Sequence, residues 1–334
     1  MPKHLLSLVG EHSLLRETYL RIAPLVEPHQ VYVATAATHA DQVRDQLPEL
    51  PPENILVEPM GKGTAPCIGL AALHMRRKNP DGVMASLHAD HVILDPEGFR
   101  AALESAVALA EKGYIATLGI TPRWAETGFG YIERGHSVDN TAVGPAYHVI
   151  QFTEKPDAER ARQFVESGRY YWNSGIFVWQ IARILAEMRT LLPELCAALD
   201  EIDAALDTPN ARSVLETVWP TIQPITVDVG VMEKAQRVVV IPISVGWNDV
   251  GSWKAVAEVI PADAHGNIIH GEHIALDTAD TLMWGGKRLI ATIGLKDMII
   301  VDTDDVVLIC PKDRAQDVKI LVDRLRKENK RQYL

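Results

Sequence analysis

The sequence predicts an α/β fold: a mixed or mostly parallel sheet flanked by helices, then a small C-terminal β module with a terminal helix. Three observations predict it. Short apolar runs alternate with segments of helical period from Ser13 to Ile120. Residues with useful chemistry fall at the ends of those runs, where open α/β sheets bind ligands. After Trp253 the helical period gives way to closely spaced apolar runs separated by small residues.

Each element has its own signal. Ser13 precedes Leu15, Tyr19, Ile22 and Val26, the pattern of a capped helix. Val31–Ala36 reads as a buried strand, Thr38–Leu47 as a helix and Asn54–Val57 as a second strand. Thr64 is the expected N-cap of the next helix, with Pro66 just inside it, where a missing N–H costs little. Val83–Leu87 is a strand ending at His88-Ala89-Asp90-His91, Phe99–Glu111 a helix, and Tyr114–Ile120 a strand. Further on, strands at Val149–Phe152, Gly175–Trp179 and Val238–Pro242 are separated by helices such as Asp157–Ser167 and Ala182–Met188. Apolar runs around Ile268, Ile290, Ile299 and Val307 make the β module, and Ala315–Lys327 the last helix.

Composition narrows the function. A net charge of −11 argues against broad nucleic-acid binding, which needs a basic face. No apolar run approaches a membrane span and no signal peptide opens the chain, so a cytoplasmic protein is expected. The three cysteines, Cys67, Cys196 and Cys310, are widely spaced and read as buried free thiols.

Five motifs carry the chemistry. Asp90 at a strand end and Asp249 between two glycines could share one Mg²⁺, leaving coordination positions for phosphate oxygens. Glu154-Lys155-Pro156 offers an acceptor for sugar hydroxyls and a point cation for phosphate. Asn173 combines donor and acceptor, which suits a hydroxyl-rich ligand. The Glu58–Thr64 loop opens a helix and suits an anion or a polar base. Glu58 could read the N–H donors of guanine. Each motif has a plain structural alternative: a capping aspartate, a surface ion pair, a turn into a core strand.

In order, the segments EPMGKGTAP, HADH, ETGFGYIE, FTEKP, WNSGIF, VDVGVMEKA and GWNDVGSW closely resemble bacterial mannose-1-phosphate guanylyltransferases, over essentially the whole chain. The resemblance implies a Rossmann-like nucleotidyltransferase domain at 1–258 and a β-helix-like module at 259–334. It implies attack of mannose 1-phosphate on GTP, giving GDP-mannose and pyrophosphate. On the family pattern Asp90 and Asp249 hold Mg²⁺, Lys155 neutralises the sugar phosphate and Lys3 reaches the nucleotide phosphates. Glu58, Gly63, Thr64 and Ala65 face guanine; Gly130, Glu154, Asn173 and Asp228 hold mannose. The module often mediates dimer contacts in the family, so a homodimer is the oligomer to test.

The sequence departs from the pattern in places. The family's N-terminal strand and its Gly-Gly-x-Gly-Thr-Arg loop belong just before Pro2, where only Met1 stands; a misassigned start is the expected reason. Without that loop and central strand, this chain is expected to be weak or inactive in transfer. Gly63 stands where the family has asparagine, at the cost of a nucleotide contact. His88 replaces a proline and His4 a glutamine. Two alternatives follow: a transferase for another sugar phosphate or nucleotide, or a catalytically weak sugar-nucleotide-binding subunit.

Overall fold

A computed structural model describes residues 2–333, so the expected limits at residues 1 and 334 lie outside the described residues. Packing divides the chain into two units. The first comprises residues 1–5, 15–89 and 95–247; the second comprises 6–14, 90–94 and 248–334. The sequence reading draws its boundary after residue 258. The packing draws it after Trp247 and adds two short early segments to the second unit.

The first unit carries strands β1 (Val33–Ala36), β2 (Ile55–Glu58), β3 (Val83–Ser86), β4 (Ile115–Ile120), β5 (Tyr131–Thr141), β6 (Gly144–Thr153), β7 (Tyr170–Gln180) and β8 (Val238–Ile243). Its helices are α1 (Leu14–Ile22, whose first residue belongs to the second unit), α2 (Ala40–Gln46), α3 (Thr64–Lys78), α4 (Pro96–Glu111), α5 (Ala158–Ser167), α6 (Ile181–Leu191), α7 (Pro193–Ala205) and α8 (Ala211–Val218). Local chemistry sets the ends. Asp95 caps α4 by accepting from the Gly98 N–H at 2.9 Å, with Pro96 at the first helical position. Asp157 caps α5, and Gly168 ends it in the left-handed conformation with φ 63°. All six residues of β4 are buried, as a strand covered on both faces requires.

The main sheet has the order β3-β7-β4-β8-β6-β5. It is more antiparallel than the alternation of strands and helices suggests. Only β4 and β8 pair in parallel; β7 runs antiparallel between β3 and β4, and β5 and β6 form a hairpin. That alternation stops after β4, because the chain turns directly from β5 into β6 at Ala142-Val143. The first residues of β7, Tyr170 to Trp172, pair with β5 and its last, Phe177 to Gln180, with β3, while β4 pairs with Trp172 and Asn173 and again with Phe177 and Val178. The register of β4 on β7 shifts between Thr117 and Gly119, and Gly119 pairs with Asn173. Such irregularities re-aim side chains beside functional sites.

Below this sheet Leu70, Phe177, Trp179, Met188 and Trp219 form the core, each at most 2 % exposed. Strands β1 and β2 pair in parallel as a separate ribbon. A cavity of about 820 Å³ is lined by Tyr32, Val33 and Ala34 on one side and Val83 to Leu87 on the other. Among the described residues, the edges of β1 and β3 that line it carry no strand partner.

In the second unit, α9 (Trp253–Val259) precedes a coil of short strands: β9 (Ile268–His270), β10 (His273–Leu276), β11 (Leu282–Trp284), β12 (Ile290–Ile293), β13 (Met298–Asp302) and β14 (Val307–Pro311). Strands β9, β11 and β13 stack in parallel on one wall, and β10 and β12 on another. This is the winding of a β-helix. Buried Asn267 holds one turn, donating to Thr278 O at 2.9 Å and accepting from Thr281 N at 3.1 Å. The chain ends with α10 (Val318–Lys327). Among the described residues no helix is long and apolar enough to cross a membrane. The three cysteines are free, but only Cys196 is buried; Cys67 and Cys310 are partly exposed, which corrects the expectation of three buried thiols.

Candidate active site

Four of the residues expected to hold sugar come together in the first unit. Asn173 Nδ2 donates to Asp228 Oδ1 at 2.8 Å, and Asn173 Oδ1 accepts from the Gly175 N–H at 3.0 Å. The Asn173 N–H donates to Gly130 O at 2.8 Å. Gly130 sits close against the group: a Cβ would stand 2.7 Å from Glu154 Oε2, the movable end of a side chain, and 3.4 Å from Asn173 Cβ. Asp228 opens a single π-helical turn, Asp228–Met232, a feature frequent at functional sites. The sequence reading places Asp228 near the sugar only by resemblance. Its direct bond to Asn173 joins residues 55 positions apart, which no local pattern encodes.

Lys155 lies beside this group. Its Nζ is 3.4 Å from Glu154 Oε1, and both side chains are about half exposed or more (65 % and 48 %). The pair is thus worth little to stability. Its backbone is the informative part. Lys155 has φ 42°, an uncommon conformation for a residue with a side chain, immediately before Pro156. Around the same site Trp172 packs edge-on against Trp124 and Phe129, with ring centroids 5.0 and 5.2 Å apart. Sequence reasoning missed this aromatic group, although ETGFGYIE and WNSGIF each contain one member.

The Glu58–Thr64 loop follows β2. Glu58 ends the strand, and its Oε1 is buried with no hydrogen-bond partner among the described residues. Burial pushes the Glu58 carboxyl up to about 7. Burial, with Glu58 as a second cause, pushes the neighbouring Cys67 thiol up to about 12. The loop is clamped from one side. Trp219 Nε1 donates to Met60 O, Lys62 Nζ to Pro220 O, and the backbone of Ile225 pairs with Lys62 O and Ala65 N. Thr64 is the first helical residue and Gly63 the N-cap, which corrects the expected cap. The Thr64 hydroxyl instead accepts the Val227 N–H at 2.8 Å, and the Ala65 N–H is taken by Ile225 O.

A raised carboxyl pKa has a defined stability signature. The folded chain keeps the Glu58 proton to about pH 7, whereas the ordinary value is 4.5. Glu58 therefore disfavours the folded state increasingly from about pH 4.5 to 7, and by its full amount above that. Glu58→Gln is expected to stabilise the chain at pH 8, by roughly 1–2 kcal/mol once solvent access to the partly buried carboxyl is allowed for, and to change little at pH 4. Thermal melts at the two pH values measure this; equal shifts at both would contradict the assignment.

In the second unit, Val92 and Asn248 form an antiparallel bridge with N–H···O bonds of 2.9 and 3.0 Å in the two directions. Asp90 and Asp249 leave this bridge at the same end, two residues before Val92 and one after Asn248. Asp249 Oδ1 accepts from Gly251 N at 3.1 Å, Asn248 Oδ1 from Val250 N at 2.7 Å, and Ser252, not Asp249, caps α9. Between them Val250 has φ 43° and is 3 % exposed. A β-branched residue held there is strained by roughly 1–3 kcal/mol, and Leu8, Leu14, Val92 and Val256 pack around it. His91, expected to be structural, is buried, with Nε2 4.0 Å from Asp90 Oδ1. Carboxylates that leave one end of a ladder are oxygen donors of the hard type that Mg²⁺ takes. Lys3 lies in a short 3-10 turn, Lys3–Leu5, at the start of the first unit.

The nucleotidyl transferase family model matches residues 1–266. The chain belongs to the nucleotidyl transferase family. It is therefore an enzyme fold that moves a nucleotidyl group, and a second match, to the MannoseP isomerase/GMP-like beta-helix domain, covers residues 271–325. This transferase is 39% identical to the xanthan biosynthesis protein XanB of Xanthomonas campestris, over 97% of this chain and 68% of that one. It is 38% identical to a mannose-1-phosphate guanylyltransferase of Escherichia coli, over 99% of this chain and 71% of that one. Among solved structures it resembles a mannose-1-phosphate geranyltransferase from Thermus thermophilus, with TM-score 0.83, 31% identity and 97% and 96% of the two chains covered.

Proposed function

We propose that this transferase joins GTP and mannose 1-phosphate, giving GDP-mannose and pyrophosphate. The observation that carries the reading is the Gly130, Glu154, Asn173 and Asp228 group, with Lys155 beside it, on the same unit as the buried, unsatisfied carboxyl oxygen of Glu58. The relatives' names supply mannose and guanine. A sugar-phosphate oxygen attacks the α-phosphorus of GTP; the P–O bond to the β-phosphate breaks and pyrophosphate leaves with the electron pair. The attacking oxygen is ionised at neutral pH, so no strong general base is needed. What the chain supplies is position and charge.

Glu154, Asn173 and Asp228 hold sugar hydroxyls, with Gly130 giving the ring room to approach. Lys155 neutralises the sugar phosphate, and Lys3 reaches the nucleotide phosphates. Glu58 accepts from guanine, whose N–H donors would satisfy its buried oxygen, with Gly63, Thr64 and Ala65 forming the turn beneath the base. Asp90 and Asp249 would hold Mg²⁺, which supplies charge neutralisation on the phosphates when bound. Exposed Ile274, Leu276 and Ile293 on the C-terminal module support a homodimer through that surface.

Pyrophosphate release from GTP, ATP and UTP, each with mannose 1-phosphate or glucose 1-phosphate, tests the reading. GTP with mannose 1-phosphate is expected to give the highest kcat/KM; equal rates with ATP or UTP would overturn the role of Glu58. A second reading is a sugar-nucleotide-binding subunit with weak transfer. On that reading GTP binds but pyrophosphate release is negligible in every combination.

A further inference from the structure

The base loop and the sugar group are tied by a single run of backbone, Trp219–Asp228. At its start, Trp219 Nε1 donates to Met60 O and Lys62 Nζ to Pro220 O, at 2.8 and 2.7 Å. In its middle, the Ile225 N–H donates to Lys62 O at 2.9 Å and Ile225 O accepts from the Ala65 N–H at 3.2 Å. Gly63 is seated so closely on this run that a Cβ would stand 2.4 Å from Ile225 O. Near its end, the Val227 N–H donates to the Thr64 hydroxyl at 2.8 Å. The next residue is Asp228, which accepts from Asn173. The π turn begins there, and the first N–H groups of any helical turn lack partners within it. Thr64 supplies the partner for Val227, which is 2 % exposed.

We propose that residues 219–228 are a brace fixing the base loop and the Asn173–Asp228 pair in one geometry, with Thr64 a positioning residue for the sugar phosphate although it lies on the nucleotide loop. This rests on the functional reading above. The physical reason is direct. Removing the Thr64 hydroxyl leaves the Val227 N–H without its acceptor, at the residue that launches Asp228. Asp228 then loses its fixed position opposite Asn173. The nucleotide loop keeps its other ties, through Met60, Lys62 and Ala65.

The test compares Thr64→Val, which keeps the shape but not the acceptor, with Thr64→Ser, which keeps the acceptor. Thr64→Val is expected to raise the KM for mannose 1-phosphate about two- to tenfold, the worth of one hydrogen bond, with Thr64→Ser restoring it. A change confined to the KM for GTP, or no change in either, would overturn the brace. Hydrogen exchange of the free chain separates this result from the functional reading, because it needs no activity. Faster exchange in Thr64→Val at both the 225–232 segment and the segment around Asn173, reversed in Thr64→Ser, supports the brace even if no transfer is detected. Unchanged exchange at these segments overturns it whatever the activity.

Discussion

Replacing Asp249 or Asp90 by asparagine is expected to lower kcat for nucleotidyl transfer by at least about a hundredfold while leaving the fold intact. The fold survives because asparagine keeps an acceptor for the turn at 249–251, where Asp249 Oδ1 takes the Gly251 N–H at 3.1 Å. What it removes is a negative charge. Two carboxylates at one end of the Val92–Asn248 bridge can balance a divalent cation; one carboxylate and one amide bind it more weakly. The strained Val250 backbone points the same way, since strain of this kind persists where the surroundings hold it and clusters at functional sites. Pyrophosphate release at saturating substrate, titrated with Mg²⁺, measures the effect. A rise in the Mg²⁺ needed for half-maximal rate should accompany the loss. An unchanged rate and metal dependence would remove both aspartates from the metal site.

The second large effect is on stability. Gly63→Asn is expected to destabilise the chain by roughly 3 kcal/mol. Gly63 has φ 87° and ψ 176°, a region essentially reserved for glycine. Its missing Cβ would stand 2.4 Å from Ile225 O and 2.8 Å from Ile225 C, which are backbone atoms that cannot swing aside. The resemblance gives this position to asparagine and reads glycine as a lost nucleotide contact. The geometry supplies a different reason: glycine lets the loop lie flat on Ile225. Gly63→Ala should fall in the same direction, because the clash is with Cβ. Urea unfolding of wild type and both variants decides it, and an asparagine variant as stable as wild type would contradict this account of the loop.

How much of this is legible in the residues depends on range. Capped helices and apolar runs are local signals, so α4, α5, β4 and β8 are readable to within a few residues. Strand β5 is not. Its segment Tyr131–Thr141 is buried at only its first three residues and then runs out polar as a hairpin arm. Helix α7 opens on Pro193 with Glu194 in its first turn, and Asn210 before α8 is a favoured cap by type, yet neither Leu192 nor Asn210 makes a side-chain cap. Sheet direction escapes the sequence for a tertiary reason: β7 inserts between β3 and β4, and nothing in the run Tyr170–Gln180 says which neighbours it will take.

The site divides in the same way. Asp90, Asp249, Glu154, Lys155 and Asn173 stand in short, chemically dense motifs and can be picked out one by one. Their partners cannot. The bond from Asn173 to Asp228, the Thr64 hydroxyl on Val227 and the seating of Gly63 on Ile225 all join segments more than fifty residues apart. The raised Glu58 carboxyl is likewise a product of packing, since the same side chain at the end of an exposed strand would titrate near its ordinary value.

The transfer itself is read by phosphorus-31 NMR of the purified chain with GTP and mannose 1-phosphate, with Mg²⁺ and again after chelation. GDP-mannose and pyrophosphate are expected to appear in equal amounts with Mg²⁺ present, and both to stop when it is chelated. GTP and mannose 1-phosphate remaining side by side, unchanged, with Mg²⁺ present would contradict the proposed transfer.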